Sequence, residues 1–517
     1  MNKALRLAIL FAVYVLLNSC RNDKIDFSTL NSGSTGYPDN VNAIFQSKCS
    51  ITGCHTIQDK DGAGGLDLSS WDALFNGARN GSAVVPYSAK YSFLTYFINS
   101  YPDLGVIHDS IGNVMPPNPP VLSHDEVSTV IDWINSGALS KAGSEKFPSV
   151  ASRNKIYVAM QSKDVVAVFD AASRQIMRYI SVGADSTQNE QPHQIRISPD
   201  GQYWYVIFRN GTVMQRYRTL DDGLDATINI GPGNWNTVAI TPDGHHAFVV
   251  DFNPFALGGK VVHVNLQTNT MTSASITLDS PHGCYFMHTQ NVLYVTAQYG
   301  NFIYKFDFSA DPTYAFIDNP NVVVMRTGAA PSITSSLDAH EIIFTPDESR
   351  YFVTCQKSNG VRIFNTANDS LLDSIPVGSF PQEMAISPSH HLLFVTCQED
   401  SVSSSLQPGE KGSVFVYDYA NNQPVNINLG NSAGFTRVYQ PHGIAVDEAS
   451  GKVFVASLNY STSGPAPHHS TGGNERNGFI SIIDMSTMEY LSFMDGFGFP
   501  YMYKSEVLPF PYSAMAK

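Results

Sequence analysis

Leu293-Tyr294-Val295-Thr296-Ala297-Gln298 is the stretch on which the fold turns, because close copies of it recur. Ile156-Tyr157-Val158-Ala159-Met160-Gln161, Tyr351-Phe352-Val353-Thr354-Cys355-Gln356 and Leu393-Phe394-Val395-Thr396-Cys397-Gln398 repeat its pattern. Weaker copies are Trp204-Tyr205-Val206, Ala247-Phe248-Val249 and Val453-Phe454-Val455. Each copy is a short β-branched and aromatic run, which reads as a buried strand. There are seven, some 42 to 60 residues apart. A period in that range, filled with short strands, predicts a β-propeller of four-stranded blades. We place seven blades over residues 150–517.

The intervening segments fit that plan. A strand such as Gln194-Ile195-Arg196-Ile197 runs into the turn Ser198-Pro199-Asp200-Gly201. The turn recurs as Thr241-Pro242-Asp243-Gly244, as Thr345-Pro346-Asp347 and, reduced, as Ser387-Pro388. Proline presets the first turn dihedral and Asp-Gly permits the reversal. A third strand follows, such as Val165–Asp170 or Phe479–Asp484, and then an outer strand that ends near glycine, as in Ile375-Pro376-Val377-Gly378. This cycle resembles the YVTN-type β-propeller repeat over nearly all of residues 155–495. The first repeat lacks an innermost strand, and the tail near Gly496–Tyr503 is expected to supply it and close the ring. Cys284, Cys355 and Cys397 fall within strands and are expected to be packed core residues.

Four histidines stand just before innermost strands, in Pro192-His193, Pro281-His282, Ala339-His340 and Pro441-His442. Blade geometry aims all four at one mouth of the central channel, with Asn236 and Gln382 at equivalent positions. Such a ring is a candidate for a metal or for ligating a second haem. A propeller that ligates haem would resemble dissimilatory nitrite reductase. Propeller histidines hold copper in nitrous oxide reductase, whose N-terminal domain is a related propeller. The plainer alternative, common in YVTN-like repeats, has each histidine bonding backbone or channel water. Pro465-Ala466-Pro467-His468-His469-Ser470 is expected to form a long loop of the last blade.

Residues 38–142 read differently. Val41, Ile44 and Phe45 share one face of a short helix with Asn40 as N-cap. Cys49 to His55 then reads C-x-x-x-x-C-H. The usual haem-attachment motif has two residues between the cysteines, so the extra pair must bulge out beside Gly53. A disulfide between Cys49 and Cys54 is one alternative, and zinc a weaker one, since no second cysteine pair follows. Met115 stands in Val114-Met115-Pro116-Pro117, where prolines stiffen the loop. Ser123-His124-Asp125-Glu126 is a capping box, Val127, Val130, Ile131 and Ile134 follow at helical spacing, and Gly137 closes the helix. With Gly64-Gly65-Leu66-Asp67-Leu68, Val84-Val85-Pro86 and Trp133–Ala138, this order resembles the c-type cytochrome domain common in planctomycetes and Bacteroidetes. The resemblance implies covalent haem c, with Cys49 and Cys54 as thioethers, His55 as proximal ligand and Met115 as distal ligand. His108 and His124 flank Met115, each either a substitute ligand or a solvated surface histidine. The expected fold class is therefore mainly β: a seven-bladed β-propeller preceded by a small all-α cytochrome c-like domain.

The remaining readings concern location and partners. Lys3 and Arg6 precede the apolar run Leu7–Leu17, too short to span a bilayer as a helix, and Leu17-Asn18-Ser19-Cys20 resembles a bacterial lipobox. We read 1–19 as a lipoprotein signal peptide, Cys20 as the lipidated residue and 20–37 as a flexible tether. This places the protein in the cell envelope, held to the membrane by its N-terminal lipid anchor. A net charge of −14 argues against a nucleic-acid partner. Three functions fit: electron transfer with the propeller as docking or substrate platform; an oxidoreductase with a second redox centre at the propeller mouth; or a propeller binding a protein or glycan, with the cytochrome domain a passenger. The redox partner or substrate is not readable from these residues.

Overall fold

The structure is a computed structural model that describes residues 34–79, 81–106, 114–117, 120–253, 258–311, 313–316, 320–398, 412–425, 429, 438–458, 478–491 and 511–517. The lipobox with Cys20, His108 and the insert at 465–470 lie outside these residues.

The protein is mainly β, a seven-bladed propeller built of seven four-stranded antiparallel sheets. Blades 2 to 6 each take four consecutive strands, from the innermost strands Pro192–Ile197, Trp235–Ile240, Pro281–Phe286, Ala339–Phe344 and Pro381–Ser387 outwards. Blade 7 runs outward from Ile444–Asp447. Blade 1 is composite. Its strands Lys155–Met160, Val165–Asp170 and Ile176–Ser181 receive Pro511–Ala516 as the innermost member. Ile156 pairs with Ala516 and Val158 with Ala514. The closing strand therefore lies further along the chain than the expected Gly496–Tyr503, which is outside the described residues. Innermost strands touch in blade order, and Pro511–Ala516 also touches Pro192–Ile197, which completes the circle.

Strand position sets the side-chain pattern. The second strands, Lys155–Met160, Val292–Ala297 and Leu392–Cys397, are buried at every residue, because neighbouring blades cover both faces. The outer strand Thr270–Leu278 alternates between exposed and half-buried positions. The Ser/Thr-Pro-Asp turns close on themselves. Asp243 Oδ1 accepts from Thr241 Oγ1 at 2.5 Å and from the His245 amide at 3.0 Å. In the reduced copy, His390 Nδ1 lies 3.1 Å from Ser387 Oγ in place of the aspartate.

Among the described residues of 34–149 there are four α-helices: α1 (Asp39–Lys48), α2 (Trp71–Leu74), α3 (Phe93–Ile98) and α4 (His124–Asn135). α1 starts earlier than expected. Pro38 occupies its cap, and Asn40 Oδ1 instead accepts from the next amide, Val41, inside the first turn. α4 begins with the full Ser123–Glu126 capping box. Val41, Ile44 and Phe45 of α1 and Val127, Val130, Ile131 and Ile134 of α4 are buried, as their spacing requires. Tyr37, Phe45 and Trp133 meet edge-on with centroids 5.1 to 6.0 Å apart.

This helical part is seated on blade 1. The edge strand Ile176–Ser181 sends its Ile176 amide to Ser82 Oγ at 2.7 Å, and Ser82 donates to Gln175 Oε1 at 2.9 Å. Gln175 Nε2 donates to the Asn76 carbonyl at 3.2 Å. Gly77 (φ +80°) faces this amide, and a Cβ there would fall 2.6 Å from Gln175 Oε1. Tyr91 lies on Tyr179 with centroids 4.5 Å apart. The apolar core is continuous from Phe45 and Trp133 through Phe147 to Tyr157 and Trp204.

Candidate functional site

Two constellations emerge. The first is a cavity of about 490 Å³ lined by Cys49, Cys54, His55 and Met115 among Leu66, Leu68, Leu94, Phe97 and Ile98. Cys49 is the residue after α1, and its amide completes the helix by donating to the Phe45 carbonyl. The chain then loops through exposed Ile51, Thr52 and Gly53, so the extra pair does bulge outward. Gly53 takes φ +84° and its amide donates to Asp59 Oδ2 at 3.0 Å. The loop closes where the His55 amide reaches the Cys49 carbonyl at 3.1 Å. Both thiols are free. Burial, then the charge of Cys54, pushes the Cys49 thiol up to about 12.

His55 is oriented by its backbone surroundings. Nδ1 lies 3.2 Å from the Leu66 carbonyl, which makes Nδ1 the protonated nitrogen and leaves Nε2 its lone pair, the usual arrangement of a ligating histidine. Burial lowers its pKa, partly opposed by that carbonyl, so the ring is neutral and able to ligate. Met115 is fixed by its amide, which donates to the Phe97 carbonyl at 2.7 Å. His124 is elsewhere, half-exposed, with Nε2 2.9 Å from Asp103 Oδ2. Two thiols, an imidazole and a thioether facing one apolar cavity fit a covalently held haem.

The second constellation is the ring of axial side chains. In blades 2 to 6 the pairing register slips at the ring residue: Ala339 pairs with Cys355 and Ile342 with Val353, so His340 and Glu341 together face Thr354. The same bulge occurs at His193, Asn236, His282 and Gln382. Bulges re-aim side chains, and these aim at the axis. His282 and His340 lie with centroids 4.1 Å apart, His340 and His442 6.3 Å, His442 and Tyr512 3.8 Å, and Tyr512 and His193 4.5 Å. The four histidines and Tyr512 thus lie side by side. The seventh ring position is Tyr512, which sequence reading missed. The signal was the proline before it, as in four of the six other ring pairs.

The repeat motif supports the ring. Thr296, Thr354 and Thr396 each accept from the bulge amide (Gly283, Glu341, Glu383; 2.8 to 3.1 Å). Each also donates to the ring carbonyl of the next blade: His340 at 2.7 Å, Gln382 at 3.0 Å and His442 at 2.6 Å. The closing glutamines form a belt, with Gln356 donating to Gln382 at 2.9 Å and Gln382 to Gln398 at 3.0 Å.

Glu341 was also missed, and the bulge brings it to the ring. Its Oε1 lies 3.2 Å from His282 Nδ1. Glu383 Oε1 lies 3.9 Å from His442 Nδ1. Both carboxylates line a channel cavity of about 330 Å³ together with Arg196 and Cys284. Burial, reinforced by the charge of Glu341, pushes Glu383 up to about 8. Burial pushes the Cys284 thiol up to about 12. Cys284, Cys355 and Cys397 are all buried in strands.

No protein-family model and no curated protein matches the chain. Among solved structures, the chain is similar to a hydrazine synthase from Kuenenia stuttgartiensis, 15% identical, with 59% of this chain and 79% of that one covered and a TM-score of 0.44. It is also similar to a functionally unknown protein from Desulfotomaculum acetoxidans, 15% identical, with 70% and 98% covered and a TM-score of 0.48. Such distant likenesses carry no inference about either constellation.

Proposed function

We propose that this protein is an electron-transfer lipoprotein of the cell envelope, with haem c in its helical part and the propeller as a docking platform. The observation that carries the reading is the convergence of Cys49, Cys54, His55 and Met115 on one apolar cavity, although Met115 is far from the others in sequence. A haem held there supplies a reversible one-electron change at iron. The chain contributes two thiols for attachment, a neutral His55 with Nε2 available, and a thioether on a segment tied to α3. The apolar lining excludes water, which favours a stable low-spin centre over ligand exchange. Cys20, as the lipidated residue, holds the protein to the membrane, and no described helix is long and apolar enough to cross one.

The test uses the protein purified from a host competent in haem attachment. Haem should stay with the polypeptide after denaturation, because thioethers survive it. His55→Ala should abolish the low-spin spectrum, and Met115→Ala should free one axial position and lower the potential. A denatured chain without haem overturns the reading. An unchanged spectrum in Met115→Ala reassigns the distal ligand, with His108 and His124 next. Cys20→Ala should leave the membrane fraction; if it is processed and retained there, the anchor is misassigned.

A further inference from the structure

We infer that His282, His340 and Glu341 form a site for a divalent first-row transition ion of the zinc type at the axis of the propeller. The inference is independent of haem in the helical part. One ligand atom from each residue lies within 4.8 Å of the others, the one such group of three among the described residues. Two imidazoles and a carboxylate, with a fourth position open, are a donor set that zinc accepts, with Zn–N at about 2.0–2.1 Å. A second haem between this pair is disfavoured, because rings 4.1 Å apart leave no room for a macrocycle between them.

Three further observations point to a bound cation. His282 is 2% exposed, and neither of its ring nitrogens makes a hydrogen bond among the described residues, although Nδ1 is 3.2 Å from a carboxylate oxygen. At the neighbouring ring position, Asn236 is 1% exposed and both its side-chain oxygen and nitrogen lack a hydrogen-bond partner. Buried polar atoms in that state call for a bound ion or water. Carboxyl oxygens of Glu341 and Glu383 also line the channel cavity, beside Arg196. That cavity reaches Glu341, which gives an ion access to one of the three ligands.

The orienting contacts are in place. The amide of Glu341 is held by Thr354, and the carbonyls of His282 and His340 accept from Thr237 and Thr296. These bonds fix the backbone from which the ligands project, so the donors are pre-positioned on strands rather than on loops.

The experiment loads chelator-stripped full-length protein with zinc, dialyses it and measures zinc per chain by mass spectrometry. Unfolding temperature is recorded alongside, because an ion that binds only the folded state raises it. The wild type should keep one zinc per chain and unfold at a higher temperature with zinc than without. His282→Ala and Glu341→Gln should lose both the zinc and the temperature shift while keeping the wild-type far-ultraviolet spectrum. Glu341→Gln preserves shape, so it separates loss of a ligand from loss of fold. His245→Ala, on an exposed histidine outside the ring, should retain the zinc. Zinc kept equally by His282→Ala and Glu341→Gln, or absent from folded wild type, overturns the site. Haem content is read separately on the same samples, so failure of the haem reading and failure of the zinc site are distinguishable.

Discussion

Glu383 bears the cost of the axial ring most directly. It is mostly buried, faces a second carboxylate on Glu341, and holds its proton up to about pH 8. Its ordinary value is 4.5, so in the unfolded chain the proton leaves much earlier. Between those two values the folded protein binds a proton that the unfolded chain has released. Stability from this group is therefore full below the unfolded value and declines as pH rises towards 8. In metal-free protein, Glu383→Gln should flatten that decline, since the amide keeps the shape and never ionises. Urea midpoints at about pH 5 and about pH 8 decide it: the wild type should lose more stability than the variant between them. Equal losses would show that Glu383 titrates normally. At this scale the sequence put the four histidines, Asn236 and Gln382 just before the strands; the structure sets all but His442 inside them, at the second residue of each innermost strand. Tyr512 and Glu341 were not legible. Strict alternation puts the neighbours His340 and Glu341 on opposite faces of a strand, and only the bulge, which leaves no mark in sequence periodicity, brings both to the axis.

The blade is legible as an element because its second strand is buried on both faces and recurs as an uninterrupted apolar run. What the pattern did not disclose is why threonine and glutamine close that run. Thr354 accepts from the bulged Glu341 amide and donates to the Gln382 carbonyl of the next blade. One hydroxyl thus satisfies a buried donor in its own blade and clamps the neighbour. Thr354→Val keeps the β-branched shape and removes the hydroxyl. It should cost about 1–3 kcal/mol, the penalty of an unpaired buried polar group, read as a lower urea midpoint with an unchanged slope. Thr354→Ser should recover most of the loss. A valine variant as stable as the wild type would mean that the bulge amide finds another partner. These bonds run between blades, so no reading of one repeat in isolation reveals them. The same limit hid the seat of the helical part, where Ser82 and Gln175 carry the contact without any periodic signature.

For the whole molecule, Pro511–Ala516 completes a sheet whose other strands lie between Lys155 and Ser181. Removing residues 511–517 should leave blade 1 three-stranded, with the inner-edge main-chain groups of Lys155–Met160 unpaired. Size-exclusion chromatography should then show oligomers in place of the wild-type species, and a truncated chain that elutes like the wild type would mean that the ring tolerates the gap. The composite blade also dictates an order of events during synthesis. The helical part emerges before blade 1 and shields its outer margin through Ser82. The inner margin has no such guard until Pro511–Ala516 has left the ribosome. Long-range pairings of this kind close slowly, because their entropy is spent before their contacts form. Throughout that delay an exposed apolar strand margin is a template for strands of other chains. The nascent propeller is therefore most prone to aggregation just before its last strand arrives, which makes chaperone supply a control on its yield.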